Sequence, residues 1–193
     1  MKYWIAVTLM VMAASHASAE SCDYVIPGTV YLPYHKGAHT PVYFSKYQFN
    51  LPSQPDVLLS GDGFMASYPN RDYIGQQHVD PEPWSDQLGR FTSRPVSVVD
   101  LYRLIYGILP TNNLNAAEQD EVQLQRSLLK LDCNANVTVY RVGGTVDVVL
   151  QVRQVETGFH TLLLLSDEGV ELITLRRPMK EVMQVIASIK RRV

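Results

Sequence analysis

Four side chains in the first half of the chain have the chemistry to hold a metal ion: His35, His39, His78 and Asp62, the last within "SGDG". Neutral imidazoles joined by one carboxylate suit zinc. Their spacing argues for a plainer role. The segment His35-x-x-x-His39 contains Gly37 and follows a proline, so a helix presenting both rings on one face is not expected, and no His-Glu-x-x-His pattern occurs. Scattered surface histidines are the expectation, with no metal and no cofactor. His160 opens a strand pattern and is expected at a rim. For nucleophilic catalysis there is no Gly-x-Ser-x-Gly elbow, and neither cysteine has an evident activating neighbour. The "GDG" at 61 to 63 reads as a turn between strands. Asp80 and Glu82 stand close in sequence but are flanked by prolines, as ordinary loop charges are. A glycosidase pair would need a cleft and a separation of about 5 to 10 Å. Asn136-Val137-Thr138 is a formal glycosylation acceptor at a strand start.

Large aromatics are the other chemistry on offer. Trp84 sits in "DPEPWSDQLGRFTSRP", a stretch with three prolines and no sustained periodicity, expected as a surface loop. With Tyr34 and Tyr73 it could contact a partner, although a tryptophan folded back over the core is expected ahead of an exposed anchor.

The compartment is written at the start of the chain. Lys2 precedes an apolar run from Trp4 to Ala14 that ends in Ala17-Ser18-Ala19, the pattern of a cleaved secretory signal over residues 1–19. The run is shorter than the ~20 residues that span a bilayer, so no stable membrane insertion is expected after cleavage. Glu20 ahead of Cys22 disfavours a lipidation signal. The remaining residues 20–193, 174 in all, fit one domain with a sizeable core. They carry 16 Lys and Arg against 19 Asp and Glu, a net of −3, which disfavours a nucleic-acid partner. Cys22 and Cys133 are the only cysteines, and in an oxidising compartment they are expected to form one disulfide. Closing a loop of 111 positions would contribute up to about 4 to 5 kcal/mol in a chain-entropy account. Without a Cys-x-x-Cys spacing, a reactive thiol pair is the lesser reading.

The elements that must position these residues follow from periodicity. The runs "VTVYRV" and "TVDVVLQVRQV", joined by Gly143-Gly144, predict a tight hairpin. Val146, Val148, Leu150 and Val152 alternate with Asp147, Gln151 and Arg153, which predicts a half-exposed strand. Leu162 to Leu165 make both faces of the next strand apolar, so it must be covered on both sides. Ser166-Asp167-Glu168-Gly169 turns the chain into a fourth strand, and Pro178 opens a helix with apolar positions at Met179, Val182, Met183, Ile186 and Ile189. The terminal "KRR" suits the negative end of that helix.

Upstream, Ser97 with Asp100 marks a helix start that Pro110 ends, and Asn115 with Glu118 caps a second helix whose expected contacts are Val122, Leu124, Leu128, Leu129 and Leu131. From residue 24 to 80 the chain reads as short strands and loops, and its prolines favour sheet edges.

The fold expected is therefore α+β: an antiparallel sheet, built from the C-terminal four-strand meander and N-terminal short strands, packed with two middle helices and a C-terminal helix. This element order resembles the PsbP and Mog1-like α/β/α sandwich, a resemblance that implies fold only. The functional expectation is an exported, non-enzymatic protein of the periplasm or extracellular space whose partner is another protein. An immunity-type inhibitor of an envelope-directed toxin is one version. The alternatives are a small secreted hydrolase, metal-dependent through the histidines above, and an envelope accessory or assembly factor.

Overall fold

A computed structural model describes residues 23–36, 40–132, 135–144, 146–154, 158–167 and 169–192. The expected signal segment, both cysteines and His39 lie outside these residues, so the expected disulfide does too.

The C-terminal meander forms as its sequence dictates. β7 (Val137–Val142) and β8 (Val146–Gln154) pair antiparallel around Gly143 and Gly144, whose φ values of 57° and 78° are those a tight hairpin needs. β9 (Phe159–Ser166) and β10 (Gly169–Arg176) continue it. β10 does not end the sheet. β6 (Tyr73–His78), β5 (Phe64–Ser67) and β4 (Val57–Ser60) add antiparallel beyond it, and β1 (Thr29–Leu32) adds parallel to β7 at the other side. The resulting eight-stranded sheet has the order β1-β7-β8-β9-β10-β6-β5-β4. β1 and β4 are edges, as their proline-rich surroundings suggest, whereas β5 and β6 are interior.

The leucine strand divides the core. Leu162 and Leu164 enter one buried cluster, and Leu163 and Leu165 enter the other. The first is closed by α4 (Met179–Ala187) and by a small sheet of β2 (Pro41–Phe44), β3 (Tyr47–Asn50) and β11 (Lys190–Arg191). Val42, Phe44, Tyr47 and Phe49 all point into it, because Ser45-Lys46 is a two-residue turn, with Ser45 at φ 46°, that reverses the chain. Lys190 and Arg191 of "KRR" instead form a strand on β3, and the last turn of α4 holds no basic residue, so the expected helix-end role is not seen. The second cluster is closed by α2 (Val98–Ile105) and α3 (Ala116–Leu128), each opened by a full capping box, Ser97 with Asp100 and Asn115 with Glu118. α2 stops well before Pro110, at Gly107, whose φ of 76° ends the helix. The segment expected as an open loop holds a 3₁₀ turn, Glu82–Trp84, and the short α1 (Ser85–Leu88).

Three local expectations are corrected. β8 is buried on both faces from Val146 to Gln151, where Asp147 accepts from the Arg141 guanidinium at 2.7 and 2.8 Å with Arg103 also beside it, and of the expected outward set Arg153 is exposed. α3 turns polar residues inward instead of its leucines: Glu118, Glu121, Gln125 and Arg126 are buried, while Leu124 and Leu128 are exposed. Each inward group is matched. Arg126 donates to the end carbonyls of α2, Ile105 at 2.8 Å and Leu104 at 3.0 Å, and Gln125 donates to Glu121 at 2.7 Å. Third, His160 is no rim residue. It is 3% exposed, and neither ring nitrogen has a hydrogen-bond partner of good geometry.

Burial holds the His160 imidazole below its ordinary pKa of 6.5, the Arg177 backbone opposing only in part. The unfolded chain binds that proton first, so stability is complete above 6.5 and is lost as pH falls below it. Between about pH 7.5 and about pH 5.5 the urea midpoint should fall, and a His160→Leu variant should show a smaller fall. An undiminished pH response in the variant would remove His160 as its source.

Candidate functional site

The polar groups that the core does not explain gather where the β4–β5 turn meets the ends of β6 and β10. On β10, Glu171 shares a face with Ile173 and Leu175 and is buried with them. A lone carboxylate there needs donors, and β6 supplies them. Gln76 Nε2 donates to Glu171 Oε2 at 2.7 Å, and His78 Nδ1 lies 3.1 Å from Glu171 Oε1. The His78 side chain is half exposed. A donating Nδ1–H leaves its Nε2 as an acceptor. Gly169 makes room for this ring, since a Cβ there would stand 2.7 Å from His78 Cε1.

Gln76 is also buried, and its Oε1 has no hydrogen-bond partner. It lines a pocket of about 400 Å³ with Asp62, His78, Glu171, Tyr43 and Ser45. The Asp62 turn is tight, Gly61 N–H donating to Gly63 O at 2.8 Å. Gly63 permits β5 to approach β6, because a Cβ on it would fall 2.2 Å from the Gln76 carbonyl oxygen. Around the same turn a second depression, of about 520 Å³, is walled by Leu59, Met65 and Gln77.

Beside the pocket, among the described residues, the sheet ends without cover. All four residues of β4 are exposed, three of them apolar, and among the described residues β4 pairs only with β5. Leu59 is 60% and Met65 50% exposed, and Leu58 and Val57 are comparable. An edge of this kind offers unpaired N–H and C=O groups flanked by apolar side chains.

The residues singled out from sequence fall in several places. Asp62 and His78 do line one pocket. His35 does not join them; it is exposed, and its amide donates to Ala187 O at the end of α4. Among the described residues no group of three or more His, Cys, Asp or Glu side chains is disposed to hold a metal ion. Trp84 is half-buried, its ring edge-on to Tyr102 with centroids 5.3 Å apart. Tyr34 is half-buried beneath the Lys190 ammonium, 5.4 Å from the ring centroid, and Tyr73 is half-buried within β6. Glu171 and Gln76 were not anticipated. The available signal was an acid at an alternating position in "VELITL", on the face that also carries isoleucine and leucine.

Chemically, Glu171 can orient His78 as a base. Among the described residues the His78 ring is hydrogen-bonded only to Glu171. The side chains of Asp62, Gln76 and Glu171 bring acceptor oxygens to the pocket lining, beside the hydroxyls of Tyr43, Ser45 and Ser60, which can donate or accept. No helix among the described residues is long and apolar enough to cross a membrane. Compared with known protein families, curated proteins and solved structures, the chain matches none.

Proposed function

We propose that this chain is an exported, non-enzymatic binding protein whose partner is another protein, held in part by strand addition to β4. An immunity-type inhibitor of an envelope-directed toxin is one form such a protein takes. The observation that carries the reading is the apolar edge Val57–Ser60, exposed along its length. Natural sheets blunt such edges with charge or proline, and an open apolar edge is a template for an incoming strand.

The test uses the mature chain as bait in an envelope extract beside a Leu58→Lys/Leu59→Lys variant. Both positions are exposed, so the variant should unfold within about 0.5 kcal/mol of the parent. Its capture of the parent's partner should drop about tenfold or more, since lysine on an edge blocks pairing. A partner held equally by both chains, or none above background, would sink the proposal.

A further inference from the structure

We propose that the pocket bounded by Asp62, Gln76, His78 and Glu171 receives a basic side chain of the partner, a guanidinium or ammonium group, as the incoming strand lies along β4. This rests on the binding reading above and names the chemistry of one contact in it.

The first support is Gln76 Oε1. The amide orientation is set by its own nitrogen, which donates to Glu171 at 2.7 Å. The oxygen is thereby turned away from Glu171 and left buried without a donor. A buried carbonyl oxygen without a partner is costly, and a ligand N–H would relieve it. The second support is what surrounds it. Asp62 is an exposed carboxylate at the mouth of the same pocket, and Glu171 is a buried one at its floor. Among the described residues that line the pocket none is Lys or Arg. His78, with Nδ1 engaged by Glu171, offers Nε2 as a further acceptor in its neutral form.

An anion would meet two carboxylates here, and an apolar group would leave Gln76 Oε1 unsatisfied. A cationic nitrogen with several N–H donors answers both. Guanidinium carries five donors in a planar fork and ammonium carries three. A partner side chain is the favoured source because Ser60, Gly61, Asp62 and Gly63 line both concavities at the end of β4, so a strand paired there passes the pocket mouth.

The experiment has two arms. In the first, N-acetyl-arginine methylamide and n-butylammonium are titrated into the ¹⁵N-labelled mature chain, with the neutral citrulline analogue as control. The Gln76 side-chain amide and the His78 ring should shift saturably with a cation and not with citrulline. Asp62→Asn should weaken the fitted affinity by about fivefold or more. A Gln76→Met variant, which keeps the volume and removes the acceptor, should weaken it as well. Absence of saturation with either cation, equal response to citrulline, or an unchanged affinity in both variants overturns the proposal.

In the second arm Asp62→Asn is used as bait. Partner capture should fall, and unchanged capture overturns the proposal even where the probes bind, since the site would then serve a free small cation. If the probes fail while Leu58→Lys/Leu59→Lys still abolishes capture, strand addition stands and only the basic side chain is lost.

Discussion

Leu164→Ala is expected to lower the unfolding free energy by about 3 to 4 kcal/mol, and Leu165→Ala by a similar amount, although the two side chains face opposite layers. Both are fully buried, Leu164 under α4 and the small sheet, Leu165 under α2 and α3. A loss of this size is a large part of the 5 to 15 kcal/mol typical of a domain. The informative result is its form. β9 is common to both clusters, so each variant should unfold in a single transition, with near-ultraviolet and far-ultraviolet signals coincident. Two separated transitions in either variant would show that the layers on the two faces of the sheet unfold independently.

The second large effect concerns Glu118. Its carboxylate is fully buried and accepts from four donors: Thr92 N at 2.7 Å, Ser93 N at 2.6 Å, Ser93 Oγ at 2.6 Å and Asn115 N at 3.0 Å. It joins the loop before α2 to the first turn of α3. These bonds, Ser93's foremost, hold its pKa down to about 2 from 4.5. Because the folded value is the lower one, the stabilisation is present above 4.5 and is lost as pH falls through the range toward 2. Glu118→Ala strands four donors at once and should lower the urea midpoint several times more than Glu82→Ala in the exposed turn. Glu118→Gln keeps one acceptor oxygen and should fall between. In both variants the steepening of acid unfolding between 4.5 and 2 should flatten. An acid profile unchanged from the parent would mean that other carboxylates govern it.

How far these features were legible depends on how local their cause is. The capping boxes at Ser97 and Asn115, the Gly143-Gly144 hairpin and the two-faced leucine strand are set by residues within a few positions of one another, and they form as their spacing dictates. The placement of β4, β5 and β6 beside β10 is a pairing of distant segments, for which alternation alone gives no address. The inward polar stripe of α3 escaped for a related reason. Glu121 is buried because Arg90 and Gln125 meet it, and Arg126 because α2 ends against it. The leucines at 124 and 128 look like core from spacing, yet the partners that decide burial lie about twenty to thirty residues away. Half of the candidate pocket could be seen in the residue types, at Asp62 and His78. Its floor could not, since Glu171 gains meaning only through the β6–β10 register that sets it opposite His78.

That register also orders events in time. The hydrogen bond from His78 to Glu171 spans 93 positions, and β1 waits for β7 at the far side of the sheet. During synthesis the segments from β2 to α3 can form hairpins and capped helices, but the central strands they flank do not yet exist. Closure of the large sheet therefore follows emergence of β7 to β10, late in the chain. A chain built in this order keeps its large sheet incomplete until its last third has been made.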